Sequence, residues 1–123
     1  MVEKLFDAEM KFVKIVWDNE PLTSRKLVEL CEEKLGWKKS TTYTVLRKLC
    51  ERGILKNENA TVTSIASRDE VQQYESRSVM ERAFDDSLPQ FITAFMHGRK
   101  LSERDANELK SLIDQFTASQ EEQ

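Results

Sequence analysis

The chain has 123 residues, enough for one domain or for one small domain with an additional arm. Hydrophobic residues make up 39% and charged residues 33%, which is typical of a water-soluble globular protein, and no apolar run approaches the roughly 20 residues that span a bilayer. The net charge is −3 at pH 7, and the N-terminus has no secretory signal pattern, so we expect a cytoplasmic protein.

The charge is distributed unevenly along the chain. Residues 1–68 contain 13 lysines and arginines against 10 acidic residues, whereas residues 69–123 contain 6 against 12. The most basic segment, residues 34–56, holds seven cations and one acid, Glu51. A basic patch in an acidic protein predicts attraction for a polyanion. The alternative is an ordinary solvated face, which charge runs usually form.

Glycines and prolines divide the chain into helical segments. Each of the three glycines follows a helical pattern, and both prolines lie at breaks between patterns. Asp7 is predicted to cap a first helix over residues 8–19, and Thr23 a second helix that ends at Gly36. Each segment has one apolar stripe, which predicts that the two helices pack into a common core.

The segment Trp37–Gly53 predicts a third helix with two different faces. Ser40 is a suitable N-cap and Gly53 a suitable stop. At about 100° per residue, the apolar face is formed by Thr42, Val45, Leu46 and Leu49. The opposite face carries small hydroxyls, a phenol and cations, which suits a helix that lies in a DNA major groove. A plain amphipathic helix with a solvated polar face is the alternative.

Residues 54–65 predict two short strands around a tight turn at residues 57–60. The order helix, helix, helix, hairpin is that of a winged helix-turn-helix domain, whose third helix reads DNA. We therefore expect a mostly α fold with a small β-hairpin. Residues 1–67 would form a winged-helix DNA-binding domain, and residues 68–123 a helical homodimerisation region.

Three amphipathic helices are predicted from residue 68 onward, with caps at Ser87 and Ser102. They have few places to bury their apolar faces, so a single copy would expose an interaction surface. We expect an interleaved homodimer, because dyad-symmetric DNA sites need a two-fold protein; the alternative is a helical subdomain folded back on residues 1–66. The predicted interface comprises Phe84, Leu88, Phe91, Ile92, Phe95, Leu109, Ile113 and Phe116.

Neither catalysis nor metal or cofactor binding is indicated. His97 is the single histidine, and no nucleophile–base pair or phosphate-cradling glycine loop is visible. One histidine with Cys31 and Cys50 cannot complete a four-ligand metal site, and the two cysteines are interpreted as buried thiols in a reducing compartment. We therefore expect no enzyme activity, no metal and no cofactor.

Several segments recur together in a recognisable order and spacing: Asp7–Trp17, Pro21–Thr23, Trp37, Thr41–Leu55 and Leu101–Leu109. In these segments, and over nearly the whole chain from about Leu5 to Phe116, the sequence resembles the penicillinase-repressor (BlaI/MecI/CopY-type) family of winged-helix transcriptional regulators. The resemblance implies a homodimeric repressor that binds dyad-symmetric operators and controls β-lactam-resistance or related genes.

The resemblance also implies how such a repressor is released. Family repressors are cut at an Asn-Phe bond in the C-terminal helices by a signalling protease that belongs to a membrane sensor system. The corresponding bond here is Ala94–Phe95, with alanine in place of asparagine. Copper-responsive members carry C-terminal Cys-x-Cys motifs, which residues 117–123 lack, so copper sensing is disfavoured. The wing also lacks the family's Gly-Arg turn and aromatic strand residues, so we expect weaker wing contacts.

The predicted DNA contacts fall into two groups. Base readout is assigned to residues with hydroxyls or a guanidinium on the polar face of the third helix, namely Ser40, Thr41, Tyr43, Thr44 and Arg47. Phosphate contacts are assigned to the cations Lys38, Lys39, Lys48 and Arg52, and to Lys56 in the wing. The alternative function is a winged-helix protein-interaction adaptor, which would use the same cations to bind an acidic protein and would never contact DNA.

Overall fold

The computed structural model describes residues 4–121, with side chains up to residue 118; predictions for the remaining terminal residues, including the end of the Cys-free tail, lie outside the described residues. The elements in chain order are α1 (Asp7–Asn19), β1 (Leu22–Thr23), α2 (Ser24–Leu35), α3 (Lys39–Glu51), β2 (Leu55–Glu58), β3 (Thr61–Ser64), α4 (Arg68–Ala83), α5 (Leu88–Met96) and α6 (Glu103–Glu121). This mostly helical chain with a small antiparallel sheet confirms the predicted fold class.

The chain consists of two compact units, Met1–Val79 and Met80–Gln123. The division falls inside α4, whose first turns belong to the first unit because Val71 is 1% exposed and is part of that unit's hydrophobic core. The boundary predicted from the sequence, after residue 67, coincides with the start of α4 instead. The assignment of residues 1–67 to DNA binding and of residues 68–123 to dimerisation remains a prediction.

The core of the first unit is built from the apolar stripes of three helices and the inner face of the sheet. The fully buried large side chains include Phe12, Val13 and Val16 of α1, Leu27 and Cys31 of α2, Leu49 of α3, and Leu55 and Val62 of the strands. Burying each large aliphatic or aromatic side chain contributes about 1.5–3 kcal/mol. Trp37, between α2 and α3, stacks on Phe12 with ring centroids 5.7 Å apart and so holds the start of α3 against α1.

Capping residues explain where the first two helices begin and end. The Thr23 hydroxyl accepts a hydrogen bond from the Lys26 amide at 3.0 Å, and Gly36 follows α2 in the left-handed conformation with φ of 70°, as predicted. The prediction for Asp7 is wrong, because Phe6 is the N-cap of α1. The Glu9 carboxylate accepts a hydrogen bond from the Phe6 amide at 3.0 Å. The start of α1 is therefore capped by the side chain of its third residue and not by Asp7, its first.

The sheet has three antiparallel strands in the order β1–β3–β2. The prediction identified the hairpin of β2 and β3 but missed β1, which is only two residues long and pairs Leu22 with Val62. The turn is also shorter than predicted, since Asn59 and Ala60 alone connect the strands, with φ values of 52° and 61°. Two left-handed central residues match the right-handed twist of a tight hairpin.

Long-range hydrogen bonds at two places fix the wing to the helical part of the first unit. The amide of Ser24 at the start of α2 donates to the carbonyl of Ala60 in the wing turn at 2.8 Å. The Glu20 carboxylate, which follows α1, accepts hydrogen bonds from the amide and the hydroxyl of Ser64 at 2.8–3.0 Å. The wing is therefore held at both its tip and its base.

The second unit contains α5, α6 and the end of α4. Ser87 caps α5 by accepting from the Gln90 amide at 3.3 Å, and Ser102 accepts from the Asp105 amide at 3.0 Å before α6, so both predicted caps are confirmed. Among the described side chains from residue 80 to residue 118, none is fully buried. The apolar faces of this unit consequently remain open to solvent in a single chain.

Candidate nucleic-acid interface

The backbone conformations of Lys38 and Gly53 mark the two ends of helix α3. Lys38 is its N-cap in an extended conformation, with φ of −71° and ψ of 155°, and its carbonyl accepts the Thr42 amide at 3.1 Å. The prediction of Ser40 as N-cap is therefore wrong, because Ser40 is already helical. The predicted stop is confirmed, since Gly53 has φ of 76° and the Ile54 amide returns to the carbonyl of Leu49.

The buried face of α3 is the predicted one. Thr42 is 0% exposed, Leu46 and Leu49 are buried, and Val45 packs against the same core. This face attaches α3 to α2 and to the wing strand β2. The geometry leaves the opposite side of α3 free for a ligand.

All of the residues predicted to read bases lie on the solvent side of α3. Ser40, Thr41, Tyr43, Thr44 and Arg47 are exposed. The Thr44 hydroxyl donates to the Ser40 carbonyl at 2.9 Å, which orients its oxygen along the helix. Lys39 lies over the Tyr43 ring, with its Nζ 6.0 Å from the ring centroid. Hydroxyls, a phenol and a guanidinium are thus displayed on one continuous surface.

The cations of this surface have no acidic partners within the described part of the chain. Lys38, Lys39, Arg47 and Lys48 are exposed, and among residues 4–121 none of them has a carboxylate oxygen within 4.0 Å. Cations left without counter-charges create a positive potential that attracts a polyanion. The four side chains are therefore available for phosphate.

Arg52 differs from the other predicted phosphate contacts. Its Nη1 donates to both carboxylate oxygens of Glu9 at 3.0 Å, and its Nη2 donates to the carbonyl of Lys4 at 2.6 Å. Its side chain is 24% exposed. Because its guanidinium is already engaged, we leave Arg52 out of the surface proposed below, and its predicted phosphate contact stays a prediction.

Lys56 of the wing is exposed and pairs with Glu58, with the Nζ and carboxylate oxygen 3.2 Å apart. An exposed pair of this kind contributes only about 0–1 kcal/mol, so it can be exchanged for a phosphate contact. The phosphate contact of Lys56 therefore stays a prediction. The wing turn itself, Asn59–Ala60, carries no charge.

The sequence prediction missed one cation beside α3. Arg25, in the first turn of α2, lines a cavity of about 480 Å³ together with Val28, Glu29, Lys39 and Tyr43. A signal was present in the sequence, because a cation in the first turn of a helix opposes the helix dipole and is locally unfavourable. Lys26 lies in the same turn, so it is the position of Arg25 beside Lys39 and Tyr43 that distinguishes it.

The two thiols lie behind this surface and take no part in it. Burial raises the pKa of the Cys31 thiol above its ordinary value. Burial also raises the pKa of Cys50. Both cysteines are free; Cys31 is buried, as predicted, whereas Cys50 is only partly buried. In the described part of the chain, no three His, Cys, Asp or Glu side chains converge to hold a metal ion.

The residues predicted for dimerisation lie on the end of α4, on α5 and on α6. Phe84 and Phe91 pack edge to face at 5.2 Å, and Phe95 stacks on Phe91 at 5.8 Å. On α6, Leu109 and Ile113 are exposed, and Phe116 is 67% exposed. The prediction omitted two exposed apolar residues of the same unit, Leu101 and Leu112.

The remaining members of this predicted set and the predicted cleavage bond are also on the surface. Leu88 and Ile92 are exposed on α5. Ala94 and Phe95, which flank the predicted bond, are exposed in the last turn of α5. A protease would therefore meet this bond in helical rather than extended backbone.

Three helices, a three-stranded antiparallel sheet and an exposed, cationic third helix define a winged helix-turn-helix protein of the DNA-binding class. The sequence model of the Penicillinase repressor family matches residues 5–115. The chain belongs to the penicillinase repressor family, and this membership supports a DNA-binding transcriptional repressor.

Two curated relatives are similar over most of their length. The penicillinase repressor of Bacillus licheniformis is 22% identical over 118 residues, which cover 93% of this chain and 92% of that protein. An uncharacterized 16.5 kDa protein in the ptsI 3′ region of Latilactobacillus sakei is 26% identical over 110 residues, which cover 86% of this chain and 75% of that protein. Within residues 4–121, no helix has the length and apolar character needed to cross a membrane.

Proposed function

We propose that the protein represses transcription by binding dyad-symmetric operator DNA as a homodimer in the cytoplasm. The observation that carries the proposal is the division of α3 into a buried apolar face and an exposed face with hydroxyls, a phenol and cations without acidic partners. Family membership supports the general class, a DNA-binding transcriptional repressor. The residues, the symmetry and the targets are our extension of it.

In this proposal α3 lies in the major groove and reads bases with its exposed polar groups. The guanidinium of Arg47 would donate to a guanine edge, the commonest specific contact of an arginine. The hydroxyls of Ser40, Thr41 and Thr44 are close to the helix start, where small side chains allow the backbone to approach the bases. Tyr43 completes the surface.

Phosphates are bound around this reading face by the surrounding cations. Lys38 and Lys39 lie at the start of α3 and Lys48 in its last turn, so they can contact phosphates at both ends of the helix. Arg25 adds a contact from α2, since it lines the same cavity as Lys39 and Tyr43. Lys56 adds a weaker contact from the wing. Each phosphate contact releases counterions and makes binding depend on salt.

Dimerisation is assigned to the second unit because its apolar side chains have no cover in a single chain. The exposed residues of α5 and α6 would form an apolar interface with the same residues of a second copy. A two-fold dimer presents two α3 helices to half-sites whose centres are about 10 bp, or a multiple of this, apart.

The regulated genes and the release mechanism are proposed from the family. The relative in Bacillus licheniformis is a penicillinase repressor, so we propose genes of β-lactam resistance or a related function as targets. Release would follow cleavage of the Ala94–Phe95 bond by a protease of a membrane sensor system. Because this bond is helical, α5 would have to unfold locally before cleavage. Mass spectrometry of the protein from induced cells tests this, and an intact chain after induction contradicts it.

DNA binding is tested by fluorescence anisotropy with duplex from the region upstream of the protein's own operon. Arg47→Ala should weaken operator binding by about 1–3 kcal/mol and relax sequence preference, as the loss of a base contact does. Lys48→Ala should weaken binding to all sequences alike and reduce the salt slope by about 1. Lys11→Ala, an exposed lysine of α1 outside the surface, is the matched control.

If Arg47→Ala and Lys48→Ala both bind like the parent across a salt titration, the assignment of the surface is wrong. If the parent ignores DNA even in dilute salt, the adaptor alternative is favoured, in which the same cations meet an acidic protein.

The dimer is tested by light scattering at micromolar concentration. Phe95→Asp and Phe116→Asp each place a charge in the proposed apolar interface and should give monomers, since an unpaired buried charge is strongly unfavourable. Gln90→Asp, at an exposed polar position of α5, should leave the dimer intact. An unchanged mass for both phenylalanine variants would refute the interface.

A further inference from the structure

A cavity of about 190 Å³ lies between α1 and the first turns of α4. Each helix contributes residues three or four positions apart, which share one helix side: Met10, Lys14 and Trp17 from α1, and Arg68, Val71 and Glu75 from α4. None of its described lining residues belongs to α3 or to the wing. The cavity is therefore separate from the surface proposed for DNA, and neither the fold nor that surface accounts for it.

The apolar side of the cavity is formed in advance by fixed side chains. The Trp17 indole donates from Nε1 to the carbonyl of Ala66 at 3.0 Å, which sets the plane of its ring. The guanidinium of Arg68 lies over that ring, 5.2 Å from the ring centroid, and is itself paired with Asp18. Val71 is 1% exposed and is packed into the hydrophobic core. A ligand would meet this apolar wall without having to order it.

Two charged groups of the cavity have no partner within residues 4–121. Glu75 has one carboxylate oxygen, Oε1, that is shielded from solvent and accepts no hydrogen bond. Lys14 is exposed and has no carboxylate within 4.0 Å. A shielded carboxylate oxygen without a donor is unfavourable, and a bound N–H donor would remove that cost.

We propose that this cavity binds a free amino acid with an apolar side chain. The α-ammonium group would donate to Glu75, the carboxylate would pair with Lys14, and the side chain would pack on Met10 and Trp17. The volume agrees with this class of ligand, because it is well below the roughly 300–1,000 Å³ of pockets for drug-sized molecules. Opposite charges in the cavity lining select a zwitterion over a simple anion or cation.

Binding is measured by isothermal titration calorimetry of the full chain with L-leucine, L-methionine and L-phenylalanine. We expect saturable binding of at least one of the three in the millimolar range or tighter, together with a ligand-dependent rise in melting temperature, since a ligand of the folded state stabilises it by mass action. Isoamylamine, which lacks the carboxylate, and 4-methylpentanoate, which lacks the ammonium, should bind about tenfold more weakly than L-leucine.

Variants locate the site. Glu75→Gln and Lys14→Ala should each weaken binding about tenfold, as the loss of a charged hydrogen bond does. Lys11→Ala, on α1 but outside the cavity, should bind like the parent, and circular dichroism checks that each variant is folded. No saturable heat with any of the three amino acids, or unchanged binding in both cavity variants, would overturn the proposal. Equal binding of the amine or the acid would overturn the zwitterion. These readouts involve no DNA, so they succeed or fail independently of the repressor proposal.

Discussion

The guanidinium of Arg52, which follows α3, donates to both carboxylate oxygens of Glu9 in the first turn of α1. The two side chains are 24% and 17% exposed, so the pair is largely shielded from solvent. Arg52 also donates to the carbonyl of Lys4, ahead of α1. A residue next to the proposed reading helix is therefore occupied in joining that helix to the start of the chain.

Arg52→Ala should lower the free energy of unfolding by about 1–3 kcal/mol, because Glu9 is left partly buried without its partner. Urea denaturation followed by circular dichroism measures this. The same variant should leave the salt slope of DNA binding unchanged, whereas Lys48→Ala should reduce the slope and keep the stability. If Arg52→Ala keeps its stability and loses about one unit of salt slope, Arg52 is a phosphate contact after all.

Gly53→Ala should lower the free energy of unfolding by about 1–2 kcal/mol, since an L-residue with a side chain is disfavoured in the left-handed region. The φ of Gly53 is 76°, and a Cβ placed there would meet no atom within 4 Å, so backbone conformation alone sets the cost. Thermal or urea unfolding measures it. Gly53→Asn should cost less, because asparagine tolerates this conformation. An alanine variant as stable as the parent would contradict this account of how α3 ends.

Arg25→Ala should weaken DNA binding to all sequences by a similar factor and reduce the salt slope by about 1, as the loss of one phosphate contact does. Anisotropy titrations at several salt concentrations measure both quantities. Lys26→Ala is a matched control, because Lys26 is the neighbouring cation on α2 and pairs with Glu29 instead. Loss of affinity for one sequence alone would mean that Arg25 reads a base.

The stability of the protein should fall as the pH rises above the ordinary thiol pKa of 9.0. Burial raises the pKa of Cys31 in the folded chain, so the folded state keeps its proton while the unfolded state loses it. The unfolded state then binds fewer protons, and the free energy of unfolding decreases with pH in that window. Urea midpoints measured between about pH 8 and about pH 10, a range that brackets the ordinary thiol pKa, test the effect. Cys31→Ala should show a flatter profile, and equal slopes in both proteins would contradict the explanation.

Local sequence pattern predicted those features that depend on neighbouring residues. The buried face of α3 follows from a helical repeat, and Thr23, Ser87 and Ser102 cap helices through amides three residues away. The errors at Asp7 and Ser40 come from the same kind of reasoning, because several residues near each helix start were suitable caps. The backbone starts α1 after Phe6, whose amide donates to the Glu9 carboxylate, and it starts α3 after Lys38, which has no side-chain cap.

Features that depend on distant residues could not be predicted from pattern. The role of Arg52 depends on Glu9, 43 residues earlier in the chain. Strand β1 has only two residues and is defined by pairing with β3, so no local periodicity marks it. The cavity between α1 and α4 likewise requires two separate helices to be packed before its residues meet.

The hydrogen bond between the Ser24 amide and the Ala60 carbonyl ties the tip of the wing directly to the first residue of α2. Because Ser64, at the other end of the hairpin, donates hydrogen bonds to the Glu20 carboxylate, the hairpin has little freedom to move on its own. Its reach along a duplex is consequently dictated by the helices rather than by its own length. An insertion at the tip would break this hydrogen bond and let the hairpin move independently of α2. Variation in wing length would therefore change the rigidity of the wing before it changed which chemical groups the wing presents.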